Sequence, residues 1–407
     1  MSPGSAHRRR SVDRVNDAHL TRRLLLTGIG AAAASVGLAG CGSPASRAPT
    51  PQRSAPRPAA SPSALDEAPL RRKIASLLVV GFRGEKLDDN DWIMKAVRGG
   101  LGGVILFDRE LQTNAPRNIT SPGQVTALVK TLRQASPGRL IVSIDQEGGR
   151  VARLNPGNGF PATKSQAEIG AANSTATTRT WAQGIADSLT SIGVTLNYAP
   201  VVDLDINPDN PAIGKLGRGF SADTGVVVTN ATEEIRIHRA AGVKTVIKHF
   251  PGSGSATGNT DFEVVDVSTT WHTRELEPFR KLIDGGVADA IMAAHLLNKQ
   301  LDPSRPASLS PAVVTELLRG RLGWKGAVVS DDMQAVAISR RYGRDEAVAL
   351  AFEAGLDLLV FANQQVYDTK VVDETIDNVV NLVRTGRITE EQIDQSVARV
   401  DTIRPKS

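Results

Sequence analysis

Leu140-Ile141-Val142-Ser143-Ile144-Asp145, followed at once by Gln146-Glu147-Gly148-Gly149-Arg150, is an apolar run that ends in a carboxylate and then turns on paired glycines. A run that is apolar on both faces suits a strand of a parallel sheet, buried from either side. Seven other segments read the same way: Leu77 to Phe82, Gly103 to Phe107, Val194 to Ala199, Val243 to His249, Ala288 to His295, Ala327 to Asp331 and Leu356 to Phe361. Longer stretches of helical period separate them. Trp181, Ile185, Leu189 and Ile192 share one helix face, as do Val314, Leu317, Leu318 and Leu322. Strand and helix alternating eight times predict an α/β fold, a single (β/α)8 TIM-type barrel, with Tyr367 to Ile403 supplying extra C-terminal helices outside it. An open doubly wound sheet is the competing architecture, but no glycine-rich dinucleotide turn follows the first run.

Residues 1–40 read as a signal peptide rather than as part of the fold. Arg8, Arg9, Arg10, Arg14, Arg22 and Arg23 make its start basic, Leu24 to Gly40 carries no charge, and Leu38-Ala39-Gly40-Cys41 closes it. This ending resembles the lipobox of bacterial lipoproteins, in which the cysteine is lipidated and becomes the new N-terminus. Cys41 is therefore expected to anchor the chain on the extracytoplasmic face of the cell membrane. The uncharged run, rich in Gly and Ala, is short for a membrane span. Thr21-Arg22-Arg23-Leu24-Leu25-Leu26 also resembles a twin-arginine export motif. Residues 41–65 are dominated by Pro, Ser and Ala and are expected to be a tether, leaving 66–407 for the barrel.

Cys41 is the only cysteine, which rules out an intramolecular disulfide and a cysteine-based metal site. Most of the formal net charge of +5 sits on the leader arginines, so nucleic-acid binding loses its support. No metal or other cofactor is expected. A monomer is the working expectation.

In a (β/α)8 barrel the site forms where the strands end. Here those ends carry Asp145, then Asn197 with Asp203 beyond it, then Lys248-His249, His295, and Asp331-Asp332. Singly, an Asp at a strand end is as readily a helix cap, and a buried His is more often a satisfied core group. Five strands bringing such groups to one rim favour a site.

The motifs then resemble a known family. Lys248-His249-Phe250-Pro251-Gly252, Asp145 to Val151 with Arg153, Ala294-His295 and Ser330-Asp331-Asp332-Met333 are similar to the motifs of family 3 glycoside hydrolases, in the branch of bacterial β-N-acetylglucosaminidases. Gly102 to Phe107 and Asn210-Pro211-Ala212-Ile213-Gly214, leading to Arg218-Gly219-Phe220, match as well. The resemblance implies that Asp331 is the nucleophile of a retaining reaction, through a covalent glycosyl-enzyme. It implies that Asp145, Arg153, Arg218, Lys248, His249 and His295 bind the sugar or orient their neighbours. Asp332, on a period of two, is expected to point away and serve as an acceptor or cap. Gly148 and Gly149 are expected to let the backbone approach the sugar.

One loop departs from the family pattern. Members usually carry Gly-His-Gly, four residues, then Asp-Ser-His, the last His being the acid/base. This chain reads Gly252-Ser253-Gly254, four residues, then Asn259-Thr260-Asp261. Asp261 is the leading replacement, since a carboxyl can protonate a leaving oxygen if burial or a neighbouring anion raises its pKa. Glu263, two residues on, is the alternative, and a loop without any acid is the third reading. A carboxylate there would repel phosphate, favouring water as acceptor. The run from Gly252 to Thr260 lacks the Lys that a phosphate loop requires. His238 and His272 fall in polar, helical stretches away from any ligand spacing.

The expected function is exo-acting β-N-acetylhexosaminidase, trimming terminal N-acetylglucosamine from cell-wall fragments of the peptidoglycan type. A β-glucosidase or xylosidase of the same family, and a non-catalytic sugar-binding lipoprotein, are the alternatives.

Overall fold

The computed structural model describes residues 67–406; the expected signal peptide, the lipidation site Cys41 and the tether lie outside the described residues. All eight apolar runs are strands: β1 Leu78–Gly81, β2 Gly103–Leu106, β3 Ile141–Ile144, β4 Leu196–Asn197, β5 Lys244–Phe250, β6 Ala290–Ala293, β7 Ala327–Asp332 and β8 Leu358–Phe361. They pair in parallel in chain order, and β8 returns to β1 with Val360 opposite Val79, so the expected barrel is closed. Most strand residues are buried completely, which is what removing both faces from water requires.

Helices follow the strands around the outside. Pro122–Ala135 shows why they form where they do. Ser121 Oγ accepts from Gln124 N at the N-cap, Pro122 takes the first turn, and Val125, Leu128, Val129 and Leu132 face the barrel. The expected face of Thr175–Ser191 is buried through Trp181, Ile185 and Leu189, and that of Ala312–Arg321, wound as a π-helix, through Val314, Leu317 and Leu318. Val371–Arg384 and Glu390–Asp401 are the C-terminal helices, both packed on the first helix, Glu67–Ala75. No helix of the described residues is long and apolar enough to cross a membrane.

Thr224–Ala240 is the polar helix that carries His238. Its polar sequence buries His238, whose Nε2 accepts from Asn197 Nδ2 (3.3 Å) while its Nδ1 donates to the Glu234 carbonyl (2.9 Å). Desolvation pushes its pKa down to about 4, so it is a neutral core group beneath β4.

Two irregularities decide what reaches the site. Between Ile247↔Ile291 and Phe250↔Ala293, β5 advances one residue more than β6; between Leu358↔Val329 and Val360↔Asp332, β7 advances one more than β8. Each is a bulge, and a bulge resets the alternation of side chains. Lys248 and His249 on β5, and Asp331 and Asp332 on β7, therefore all border one cavity, where strict alternation would have turned one of each pair away.

The opposite end of the barrel is held by a carboxylate. Asp357, fully buried before β8, accepts from Val328 N (2.9 Å), Arg319 (2.5 Å), Ser396 Oγ (2.9 Å) and Arg399 (3.0 Å), joining two strands to two helices. Asp357→Ala leaves the half-buried Arg319 without its anion and is expected to lower unfolding free energy by about 3 kcal/mol in urea titration, as for a broken buried pair.

Candidate active site

A cavity of about 460 Å³ opens at the C-terminal ends of the strands, and its floor is built from paired charges. Lys248, buried at the end of β5, donates to Asp145 Oδ1 and to Glu147 Oε1, both at 2.7 Å. Glu147 is also gripped by Arg218, whose Nε and Nη2 reach its two oxygens at 2.7 and 2.8 Å. Burial alone would lift the Glu147 carboxyl, but Arg218 and Lys248 hold it far below the usual carboxylate range. Burial likewise works against the Lys248 ammonium, and Asp145 and Glu147 more than offset it.

The long loop after β4 sets Arg218 in place. Asn210 Oδ1 accepts from Ala212 N and Ile213 N, and Arg218 Nη1 donates to the Ala212 carbonyl (2.9 Å). The same Asn210 donates to the carbonyls of Ser253 and Gly254, tying this loop to the one after β5. Asp203 receives His249 Nδ1 (2.7 Å), His249 N and Ser253 N. With Nδ1 donating, His249 Nε2 is left as an acceptor beside Arg218 Nη2 (3.4 Å) and borders the cavity. Arg153 completes this side, 3.9 Å from Asp145 Oδ2 and stacked 5.3 Å above the Phe107 ring.

Asp331, at the end of β7, and Asp261, on the loop after β5, both face the cavity. Asp331 Oδ1 accepts from Asp332 N (2.8 Å), which orients the carboxylate and leaves Oδ2 free. Burial pushes the Asp331 pKa up, but His295, His249, the Asp332 N–H and Lys248 together bring it below its ordinary value. Asp261 behaves oppositely: burial and then the charge of Asp331 push it up to about 6. Among the described residues no group donates to its carboxyl, while its main chain is held by Val336 N and Gln365 Nε2 at its carbonyl and by Asn259 Oδ1 at its N–H. Glu263 does not border the cavity; it accepts from Asn259 N (3.4 Å) and crowds Gly258. Between the two candidate acids, only Asp261 faces the site.

The whole of this geometry falls within residues 69–403, which match the family model described as the glycosyl hydrolase family 3 N terminal domain. The chain belongs to glycosyl hydrolase family 3. It is 32% identical over 361 residues to beta-hexosaminidase LpqI of Mycobacterium tuberculosis, covering 86% of either chain. It is 31% identical over 334 residues to beta-hexosaminidase A of Pseudoalteromonas piscicida, covering 76% of this chain and 54% of that one. Among solved structures, a family 3 β-N-acetylglucosaminidase from Paenibacillus sp. str. FPU-7 superposes with a TM-score of 0.74 at 35% identity, over 82% of this chain and 62% of that one. The chain thus spans between half and two thirds of the length of two of these proteins and most of the third.

Four residues sit differently from expectation. His295 does not border the cavity: Ser308 Oγ lies 2.7 Å from its Nδ1 and its Nε2 donates to the Asp332 carbonyl at 2.9 Å, so both nitrogens are spent supporting the main chain of the Asp331 strand. Its burial lowers its pKa, in keeping with a neutral ring. Gly148 and Gly149 face away as well. Their φ values of +94° and +59° make the turn of a small hairpin, Gln146–Gly148 with Val151–Ala152, and a Cβ on either would strike Lys164 or Ser165. Asp332 has the expected acceptor role, taking Gln334 N and Ala362 N at Oδ1, yet the β7 bulge keeps it at the cavity edge.

Sequence reading passed over Glu147 as a site residue, although it stands in a quoted motif. The signal was there: Lys248 and Arg218, two cations at one rim, need more anion than Asp145 provides. Glu147→Leu is expected to cost about 3–5 kcal/mol of stability by denaturant titration, because it strands Arg218 and leaves Lys248 with Asp145 alone. Adding Lys248→Met should cost less than the sum of the two single changes, the mark of a coupled pair.

Proposed function

We propose that the chain is a retaining, exo-acting β-N-acetylhexosaminidase that hydrolyses terminal β-linked N-acetylglucosamine, with Asp331 as nucleophile and Asp261 as acid/base. The observation that carries this is the pair of carboxyls in one cavity whose surroundings drive their proton affinities apart, Asp331 down and Asp261 up to about 6. Such separation divides the roles of attacker and proton donor. Asp331 Oδ2 attacks the anomeric carbon as the glycosidic bond breaks, and Asp261 gives its proton to the departing oxygen. Asp261, now ionised, takes a proton from water; the water oxygen bonds to the anomeric carbon and the bond to Asp331 breaks.

The remaining polar groups bind the sugar. Two of the three Lys248 protons are engaged by Asp145 and Glu147, which leaves the third for a ring hydroxyl. Asp145, Arg153, His249 Nε2 and Arg218 border the same space and meet further hydroxyls. Hydrogen bonds that tighten as charge develops on the ring favour the transition state over the ground state. His295 acts at one remove, by fixing the strand that carries Asp331. Two carboxyls facing the reacting centre favour water over phosphate as acceptor. A non-catalytic sugar binder is the weaker reading, since nothing in mere binding requires a carboxyl held near pKa 6 opposite a second one.

The leader sequence supports the setting: export, lipidation at Cys41, and a tether over residues 41–65 that holds a monomeric barrel domain, 66–407, off the extracytoplasmic face of the membrane. Amino-sugar fragments of the cell wall are the substrates within its reach there.

The protein is expected to release p-nitrophenol from its β-N-acetylglucosaminide, and Asp331→Ala to abolish this by at least about 10³-fold. The first step needs Asp261 protonated and Asp331 ionised. As pH rises through about 6, Asp261 loses its proton and kcat/KM falls; on the acid side the decline comes only below the ordinary carboxylate range. Asp261→Ala should remove the alkaline decline, and azide should restore turnover by replacing the base-assisted water. An unchanged pH profile in that variant would reassign the acid/base.

A further inference from the structure

The charged floor of the cavity rests on a buried hub, Gln146, Asn197 and His238, none of whose members borders the cavity. Asn197, at the end of β4, turns its side-chain amide onto the main chain of Gln146: Oδ1 accepts from Gln146 N (2.9 Å) and Nδ2 donates to the Gln146 carbonyl (3.0 Å). Gln146 stands between Asp145 and Glu147, the two anions that hold Lys248. Its own side chain reaches across the hairpin, where Nε2 donates to the Leu154 carbonyl (3.0 Å) and Oε1 accepts from Leu154 N (2.9 Å), and Leu154 follows Arg153. Asn197 and Gln146 thus set the main chain beside Asp145, Glu147 and Arg153 together.

These bonds require one orientation of the amide, and His238 secures it. The Glu234 carbonyl can only accept, so the His238 ring carries its proton on Nδ1 (2.9 Å), and Nε2 keeps a lone pair for the second proton of Asn197 Nδ2 (3.3 Å). Turning the amide over would set Oδ1 against two acceptors, the Gln146 carbonyl and His238 Nε2, and Nδ2 against the Gln146 N–H. Without an acceptor at His238, one Asn197 N–H is buried and unpaired, a defect that works against the whole arrangement. Resting on the reading of Asp331 and Asp261 given above, we propose that His238 and Asn197 are positioning residues which, through Gln146, set how sharply the site tells one arrangement of sugar hydroxyls from another.

Barrel geometry decides which hydroxyl is affected most. β3 and β7 lie opposite each other in the ring of strands; Asp145 follows β3, whereas Asp331 is carried by β7. With the anomeric carbon at Asp331, the far end of the sugar ring, at C4, lies toward Asp145 and Arg153. Those are residues whose main chain the hub holds. A loosened hub therefore blurs recognition of the 4-hydroxyl and leaves the carboxyls at the anomeric end in place.

The test reads a ratio of kcat/KM values, which does not depend on how much enzyme is folded. The p-nitrophenyl β-N-acetylglucosaminide is compared with its 4-epimer, the β-N-acetylgalactosaminide, which differs only in the direction of the 4-hydroxyl. The unsubstituted protein is expected to prefer the first. His238→Leu, of similar size but without an acceptor, should lower that preference about fivefold, the order of effect of one loosened hydrogen bond. His238→Gln, whose amide oxygen can take the place of Nε2, should restore it. Asn197→Ala removes the amide itself and should lower the preference at least as far, and adding His238→Leu to it should change the ratio no further, because His238 acts through Asn197. An unchanged preference in Asn197→Ala overturns the proposal whether or not His238→Leu folds. So does an unchanged preference in His238→Leu, or an unsubstituted protein that cleaves both epimers equally well. If the unsubstituted protein releases p-nitrophenol from neither, the hydrolase reading fails and this proposal falls with it.

Discussion

Lys248 and Arg218 are cations buried at the end of a closed barrel, and neither can stay there without Asp145 and Glu147. Isolated charges in such a place are driven to neutralise or to reach water. Pairing them satisfies that demand and at the same time joins β3, β5 and the loop after β4. A hydrophobic replacement of similar volume would hold the barrel end at least as well. What the charges provide that apolar groups cannot is a floor of oriented donors and acceptors, so the arrangement makes sense as a site and much less as a device for stability.

The proton affinity of Asp261, the proposed acid/base, depends on that floor as well. An imidazole at the position of Asp261 would titrate near neutrality with little help. A carboxyl must be pushed upward, and here burial and the neighbouring charge of Asp331 do so. The Arg218 guanidinium counteracts part of that push, since it favours the ionised form. Proton affinity at Asp261 is therefore a balance between burial and a carboxylate opposite on one side and a cation below on the other. The titrations of Asp331 and Asp261 depend on each other and on Asp332, whose carboxyl burial pushes up to about 7 at the edge of the same cavity.

The barrel was legible because each strand is buried on both faces, and eight short, uninterrupted apolar runs spaced by helical segments suit a closed parallel sheet better than any half-solvated one. Asp145, Lys248, His249 and Asp331 were legible by the same route, since they stop those runs. The bulges were not. An extra residue in β5 or β7 changes no composition, yet it decides whether Asp332 turns away or stays at the edge. His238 was read only as lying in a polar, helical stretch; the structure buries it with hydrogen bonds to Asn197 and Glu234 that no periodicity announces. The paired glycines were read as making room for sugar, but they make room for Lys164 and Ser165, a tertiary contact distant in sequence. His295 was found by motif and then placed one layer too close to the substrate.

Loops after β2, β5 and β8 carry the part of the site that the barrel does not fix. Gly254 passes so close to the Leu204 carbonyl that a Cβ would fall 1.8 Å from it, Asp203 and Asn210 clamp Ser253 before it, and Glu275 holds Ser255 after it. This pins the start of the β5 loop to the scaffold. From Asn259 onward the attachment changes: the Asp261 carbonyl is held by Gln365 and by Val336, and the Thr260 carbonyl by Ala337. Asp261 is thus anchored to the segments following β7 and β8 and not to the end of β5. Any group that displaces the β8 loop therefore displaces Asp261 with it.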